Sequence, residues 1–235
     1  GDWGYQGLLF PFLEGTTLTT WDQPLRQAVA TLLGTLHSDR ELAARAFPNQ
    51  LPGTCEAGYH SDFHRRFTDD LVGVAAERPD FVSRSTFGWM EGEAARLAEL
   101  VANSAPFSEP AGTLIHGDVW PNNVLMMPNG QWYLLDWDDH RLGDPVLDLA
   151  KLLDRASAAA DPPAEGEINA LLGPDPARRA RFDLYSRAIA LDWVIDSLAD
   201  FIEARQAPEH AGVVRPEKKR RHLEALAWYR VRYPG

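Results

Sequence analysis

Asp118, Asn123 and Asp136 stand close together in a stretch otherwise made of short apolar runs. Asp118 and Asn123 are five residues apart in a loop that contains Pro121 and follows the apolar run Thr113–His116. Such a loop can aim the Asp carboxylate outward at a reacting hydroxyl and turn the Asn carbonyl oxygen back toward a cation. Val124–Met127 and Trp132–Leu135 then flank Pro128-Asn129-Gly130, and an Asn-Gly pair between apolar runs is a strong hairpin signal. The hairpin returns the chain so that Asp136, at the end of its second strand, reaches the same cation. The set meets the needs of phosphoryl transfer: a carboxylate that accepts or orients the proton of an acceptor hydroxyl, beside hard oxygen ligands for Mg²⁺. Taken singly, the same residues are ordinary turn formers; their joint spacing is what points to chemistry.

The wider pattern is HGDVWPNN (His116 to Asn123), the hairpin, LLDWDD (Leu134 to Asp139) and GDPVLDLA (Gly143 to Ala150). H-x-D-x-x-x-x-N, a hairpin and an Asp-containing turn resemble the catalytic and metal loops of kinases. With Gly117 in place of Arg and DWDD in place of DFG, the chain is similar to the aminoglycoside phosphotransferase and choline kinase-like family. LLFPFLEGTTL (Leu8 to Leu18) resembles that family's interlobe hinge, and LLGTLH (Leu32 to His37) resembles the end of its following helix. The resemblance runs to about residue 153 and is weaker beyond. It implies that Asp118 is the catalytic base or hydroxyl-orienting acid, that Asn123 and Asp136 are Mg²⁺ ligands, and that His116 braces the loop. It also implies that the hinge backbone near Pro11 and Leu13 meets the base of ATP (or GTP), with Leu125 as the floor beneath it. Pro11 has no N–H, so only its carbonyl can serve there.

Other residues admit two readings each. His116 is a general base or a buried brace. Asp138 and Asp139 touch the acceptor or a second metal, or they are solvated loop acids. Trp120 is an acceptor wall or core packing. Asp192, Asp196 and Asp200 form an i, i+4, i+8 row, either a solvated stripe or the lining of a pocket for an amine-bearing acceptor. His60 and His64, spaced i, i+4, are surface histidines or half of a zinc site that lacks an evident third ligand. Asp144 reads as the cap of the helix after Pro145, and Asp148 as a hydrogen-bond acceptor for the catalytic loop.

The elements that must position these groups are mostly helical. Pro24 opens a helix with apolar residues at Leu25, Ala28, Val29, Leu32, Leu33 and Leu36, a 3.6-residue stripe. Further helices are expected over Tyr59–Glu77, Trp89–Asn103, Val146–Leu153, Phe182–Arg205 and Glu217–Tyr229, with a connector around one short helix at Ala156–Arg178. The fold class is therefore α+β and mostly helical. It is expected to be the large, C-terminal lobe of a protein kinase-like fold, with residues 1–15 as hinge and 16–235 as lobe.

Bulk properties narrow the partners. A formal net charge of −11 argues against nucleic acid and favours cationic small molecules; the basic run Lys218-Lys219-Arg220-Arg221 reads as a solvated face. No apolar run spans a membrane. The single cysteine, Cys55, excludes an intramolecular disulfide and fits a reducing cytoplasm. The family's small N-terminal lobe, with a glycine-rich phosphate loop and a strand lysine, would precede the hinge, and no lysine occurs before Lys151. These residues alone are therefore expected to bind ATP poorly. The leading expectation is transfer of the γ-phosphoryl of ATP or GTP to a hydroxyl of a small molecule. The rivals are a non-catalytic, truncated module that binds a small molecule or partner, and a Mg²⁺-dependent phosphohydrolase.

Overall fold

A computed structural model describes residues 13–20, 22–154, 161–204 and 208–234. A short strand, β1 (Thr16–Thr17), precedes α1 (Gln23–Ser38) and α2 (Arg40–Ala46). Strand β2 (Gly53–Thr54) leads into α3 (Cys55–Tyr59), one π-helical turn (His60–His64) and α4 (Arg65–Ala76). Helix α5 (Arg84–Ala102) is followed by β3 (Pro110–Ala111), β4 (Thr113–Ile115), β5 (Val124–Met126), β6 (Trp132–Leu134) and β7 (Arg141–Gly143). Helices α6 (Pro145–Leu152), α7 (Glu165–Leu172), α8 (Pro176–Glu203) and α9 (Pro208–Arg232) complete the chain. No helix among the described residues is long and apolar enough to cross a membrane.

Helix starts follow local chemistry. The side chains of Asp22, Ser83, Asp144 and Asp175 accept hydrogen bonds from the first-turn backbone N–H groups of α1, α5, α6 and α8, satisfying donors that a helix cannot pair internally. Helix α8 forms the spine of the core. Between Arg181 and Ile202 only Asp183 is exposed, because α4, α5, α6 and α9 all pack against it.

Helices α5 and α8 begin at Arg84 and Pro176, earlier than the expected Trp89 and Phe182, and three further differences have a physical reason. The buried row of α1 is Arg26, Val29, Leu33 and Leu36, so an arginine occupies a position that apolar periodicity gave to leucine. Arg26 keeps 1% of its surface and donates from Nε and Nη2 to the two carboxylate oxygens of Glu167, both at 2.8 Å. That fork ties α1 to α7. Helix α2 was not expected from sequence; Asp39 caps it. Helix α9 begins at Pro208 and carries Pro216 inside it, well before the Glu217 start that a helix-breaking proline suggested.

Among the described residues, three small antiparallel sheets hold the loops. β5 lies between β1 and β6, with Thr17 opposite Leu125 and Val124 opposite Leu134. β4 pairs with β7, with Thr113 opposite Gly143, and β2 pairs with β3. The expected hairpin is closed by Met127 N–H donating to Gln131 O at 2.8 Å and Gly130 N–H donating to Met127 O at 2.9 Å.

Candidate active site

Two strand pairs point their loops at one place. The β4–β5 segment carries His116 to Asn123, and the β6–β7 segment carries Leu135 to His140. Leu135 N–H donates to Asn123 O at 2.8 Å, locking the second loop to the first.

The first loop turns at Gly117, where φ is +83°. A Cβ there would lie 2.5 Å from Asp139 O and 2.6 Å from Arg141 Nη1, so this backbone needs glycine for both its conformation and its neighbours. The turn is held from behind by Asp148, a fully buried side chain on α6. Asp148 Oδ2 accepts from His116 N–H at 3.0 Å, and Oδ1 accepts from Gly117 N–H at 2.9 Å. His37, at the end of α1, places Nε2 2.8 Å from the same Oδ2. The LLGTLH segment thus reaches the site through its last residue.

His116 is buried with both ring nitrogens engaged. Nδ1 accepts from Asp118 N–H at 3.2 Å, and Nε2 lies 2.9 Å from Leu135 O. The tautomer protonated on Nε2 satisfies both contacts. This geometry suits a brace between the two loops and leaves no ring nitrogen for a general base. Trp137 meets the imidazole edge-to-face at 4.7 Å.

Asn123 donates from Nδ2 to Asp118 O at 3.0 Å and to Asp118 Oδ2 at 2.7 Å. Its Oδ1 is therefore the atom left for other work. Asp136 is exposed and has φ +59°, the single positive φ outside glycine among the described residues. Asp tolerates this region better than most residues, yet it still costs about 1 kcal/mol or more. No hydrogen bond or ion pair among the described residues engages its carboxylate. Asn123 Oδ1 and the Asp136 carboxylate are hard oxygen donors that fit Mg²⁺, which binds through one or two such side chains and takes its other ligands from phosphates and water. Among the described residues no three His, Cys, Asp or Glu side chains cluster as a metal site.

Lys151, which sequence reasoning passed over, enters from α6. Its Nζ donates to Gly117 O at 2.6 Å and lies 3.3 Å from Asp118 Oδ1. It sits 5.5 Å from the Trp120 ring centroid, and Trp120 packs edge-to-face on Trp193 at 5.7 Å. Trp120 is half-buried, at once core packing and rim. The available signal was spacing: Lys151 follows Asp148 by three positions, so the two share a helix face.

Acidic residues surround this centre. Asp62, in the π-helical turn, pairs with Arg141, whose Nη1 also donates to Asp139 O at 2.6 Å; burial raises the Asp62 carboxyl above its ordinary range and Arg141 opposes that. Asp192 pairs with Arg66, while Asp200 pairs with Lys218. The acidic row is therefore not the solvated stripe of the first reading, because α4 and α9 cover it with cations. Burial pushes the Asp192 carboxyl up to about 6, with Arg66 opposing and Asp196 adding to the rise. Burial also raises Asp196. Asp138 is exposed.

The remaining candidates are quickly placed. Leu125 is buried on β5, and a Cβ on Gly15 would lie 2.8 Å from Leu125 Cγ, so the chain after half-buried Leu13 passes directly over it. Pro11 lies outside the described residues. His60 and His64 meet edge-to-face at 5.1 Å. Burial and Asp144 push the Cys55 thiol up to about 12, which removes it as a nucleophile. The basic run is the solvated face expected, with Lys219, Arg220 and Arg221 exposed: Lys218 pairs with Asp200, Arg220 with Glu224 and Arg221 with Glu217, and Lys219 lies over Phe81. A recess of about 290 Å³, lined by Asp154, Arg179, Phe182 and Trp228 among others, includes no residue of either loop; the chemistry-bearing groups lie outside it.

Solved structures share this architecture. A choline kinase, LicA from Streptococcus pneumoniae, superposes with a TM-score of 0.54 at 17% identity, over 93% of this chain and 69% of its own. An ethanolamine kinase from Plasmodium vivax gives 0.58 at 12% identity, over 94% and 65%. An aminoglycoside 2′-phosphotransferase-IIIa in its GDP complex gives 0.52 at 15% identity, over 87% and 62%. The chain thus spans about two thirds of the length of these kinases, and at such identities the likeness establishes the fold alone. The sequence model of the phosphotransferase enzyme family matches residues 2–182, and with it most of the chain, including both loops. The chain belongs to the phosphotransferase enzyme family.

Proposed function

We propose that this chain carries the catalytic and metal-binding loops of an enzyme that transfers the γ-phosphoryl of ATP or GTP to a hydroxyl of a small molecule. The observation that carries the reading is the arrangement of Asp118. Its carboxylate is anchored by Asn123 and Lys151, in a loop tied through Asn123 O to Leu135 N–H, the residue before Asp136. In this role Asp118 orients the acceptor hydroxyl and takes its proton as transfer proceeds. His116 and Asp148 hold the loop so that the carboxylate does not drift. Asn123 and Asp136 would hold Mg²⁺, which would neutralise charge on the phosphates. The backbone around Leu13, with Leu125 beneath, receives the base of the nucleotide, as the hinge resemblance implies.

The acceptor is proposed to be cationic. Asp62 and Asp192 are matched by Arg141 and Arg66, and Lys151 by Asp118, which leaves the loop carboxylates Asp136 and Asp138 as a surplus that favours an amine-bearing alcohol. Family membership and the choline, ethanolamine and aminoglycoside kinases that share the fold support that class.

The test is transfer from γ-labelled ATP or GTP with Mg²⁺, using the full-length gene product and a panel of amino alcohols, aminoglycosides and neutral sugars. Label in an amino-bearing acceptor is the expected result. Label released only as inorganic phosphate would mark a hydrolase, and binding without any turnover would mark a non-catalytic module.

A further inference from the structure

We propose that Lys151 is a positioning residue for this reaction, holding the Asp118 carboxylate in its working orientation from helix α6; the inference rests on the function proposed above. Two groups from opposite sides anchor Asp118. Asn123 Nδ2 binds Oδ2 at 2.7 Å, and Lys151 Nζ lies 3.3 Å from Oδ1. With one anchor the carboxylate could still swing about χ2. With two, its remaining lone pairs keep a fixed direction, the condition that an effective general base or orienting acid must meet.

The lysine is itself fixed. Its ammonium donates to Gly117 O at 2.6 Å, the carbonyl of the same glycine whose N–H Asp148 holds. Asp148 and Lys151 thus grip one turn from one helix face, the first through N–H and the second through C=O. Trp120, backed by Trp193, lies beside the ammonium and limits its swing, and the side chain retains 15% of its exposure. Lys151 stands in the last turn of α6, where the helix dipole favours a cation. Its charge is also felt by Asp62 and Asp192, whose carboxyls it draws downward against the effect of burial. Among the described residues it is the cation that pairs with Asp118. The sequence has two other lysines, Lys218 and Lys219, and they are occupied by Asp200 and Phe81.

The test compares Lys151→Met, Lys151→Arg and Asp118→Asn in the full-length gene product, with kcat, both KM values and thermal midpoint measured for each. Lys151→Met keeps length and removes charge. It is expected to lower kcat by about 10- to 100-fold, the penalty of a slightly misplaced reacting group, with KM values and midpoint nearly unchanged. Lys151→Arg is expected to recover most of the loss. Full kcat in Lys151→Met while Asp118→Asn is dead would overturn the inference and leave the proposed function standing. Equal impairment in Met and Arg, with a fall in midpoint, would also overturn it by making Lys151 a packing residue. Turnover retained in Asp118→Asn would overturn the inference and the function together. Should Lys151→Met not fold, Lys151→Gln repeats the measurement with a polar, uncharged side chain.

Discussion

Replacing Asp148 by Asn isolates the support behind the Gly117 turn. The Asp148 carboxylate is fully buried and accepts from His116 N–H at 3.0 Å and Gly117 N–H at 2.9 Å, with His37 Nε2 at 2.8 Å. Asparagine has nearly the same shape but one acceptor oxygen and one donor NH₂. If its oxygen takes the Oδ2 position, it keeps His116 and His37, and its NH₂ then confronts Gly117 N–H. At least one buried donor, Gly117 N–H, is orphaned, at about 1–3 kcal/mol, and the retained bonds lose their charge assistance, at about 1 kcal/mol more. The sum is about 2–4 kcal/mol, or a midpoint lower by roughly 5–15 °C for a domain of this size. Urea unfolding of wild type and Asp148→Asn, with unchanged m values, is the assay. A difference within about 0.5 kcal/mol, the range of an ordinary surface substitution, would refute the account of how the turn is held.

Gly117→Ala should cost at least about 2 kcal/mol in stability and displace the loop, since the new methyl meets Asp139 O and φ is +83°; a neutral effect in thermal unfolding would contradict this. Arg26→Met should destabilise by about 3–5 kcal/mol by stranding the buried Glu167 carboxylate. The double replacement Arg26→Met with Glu167→Leu should be closer to wild type than Arg26→Met alone, and additive losses would exclude that explanation. Asp192 should titrate near 6 by carboxyl-carbon NMR, above its ordinary value of 3.8. The folded state then holds this proton more tightly than the unfolded chain, so the Asp192 contribution to stability falls as pH rises from about 4 to 6. A midpoint near 4 would contradict the burial that raises it.

Local signals in the sequence were the most legible. Asn129-Gly130 marked the hairpin, Asp144 before Pro145 marked the α6 start, and the spacing of Asp118, Asn123 and Asp136 marked the two loops. These features depend on neighbours a few residues away, and a linear reading contains them. Contacts across the fold were not legible. Nothing near Asp62 announces Arg141, and nothing near Asp192 announces Arg66; each pairing follows from how α4, the π-helical turn and α8 pack. Arg26 defeated periodicity because its partner, Glu167, lies far along the chain. Helix α9 ran through Pro216 against local propensity, because packing on α8 outweighs one lost hydrogen bond.

The most direct test of the central claim is the single-turnover rate of γ-phosphoryl transfer in an Asp118→Asn variant of the full-length gene product, measured with nucleotide affinity on the same sample. The account predicts a rate lower by about 10²–10⁴-fold, with Mg²⁺-nucleotide affinity essentially preserved, because Asn123 and Asp136 remain in place. A rate close to wild type would contradict it.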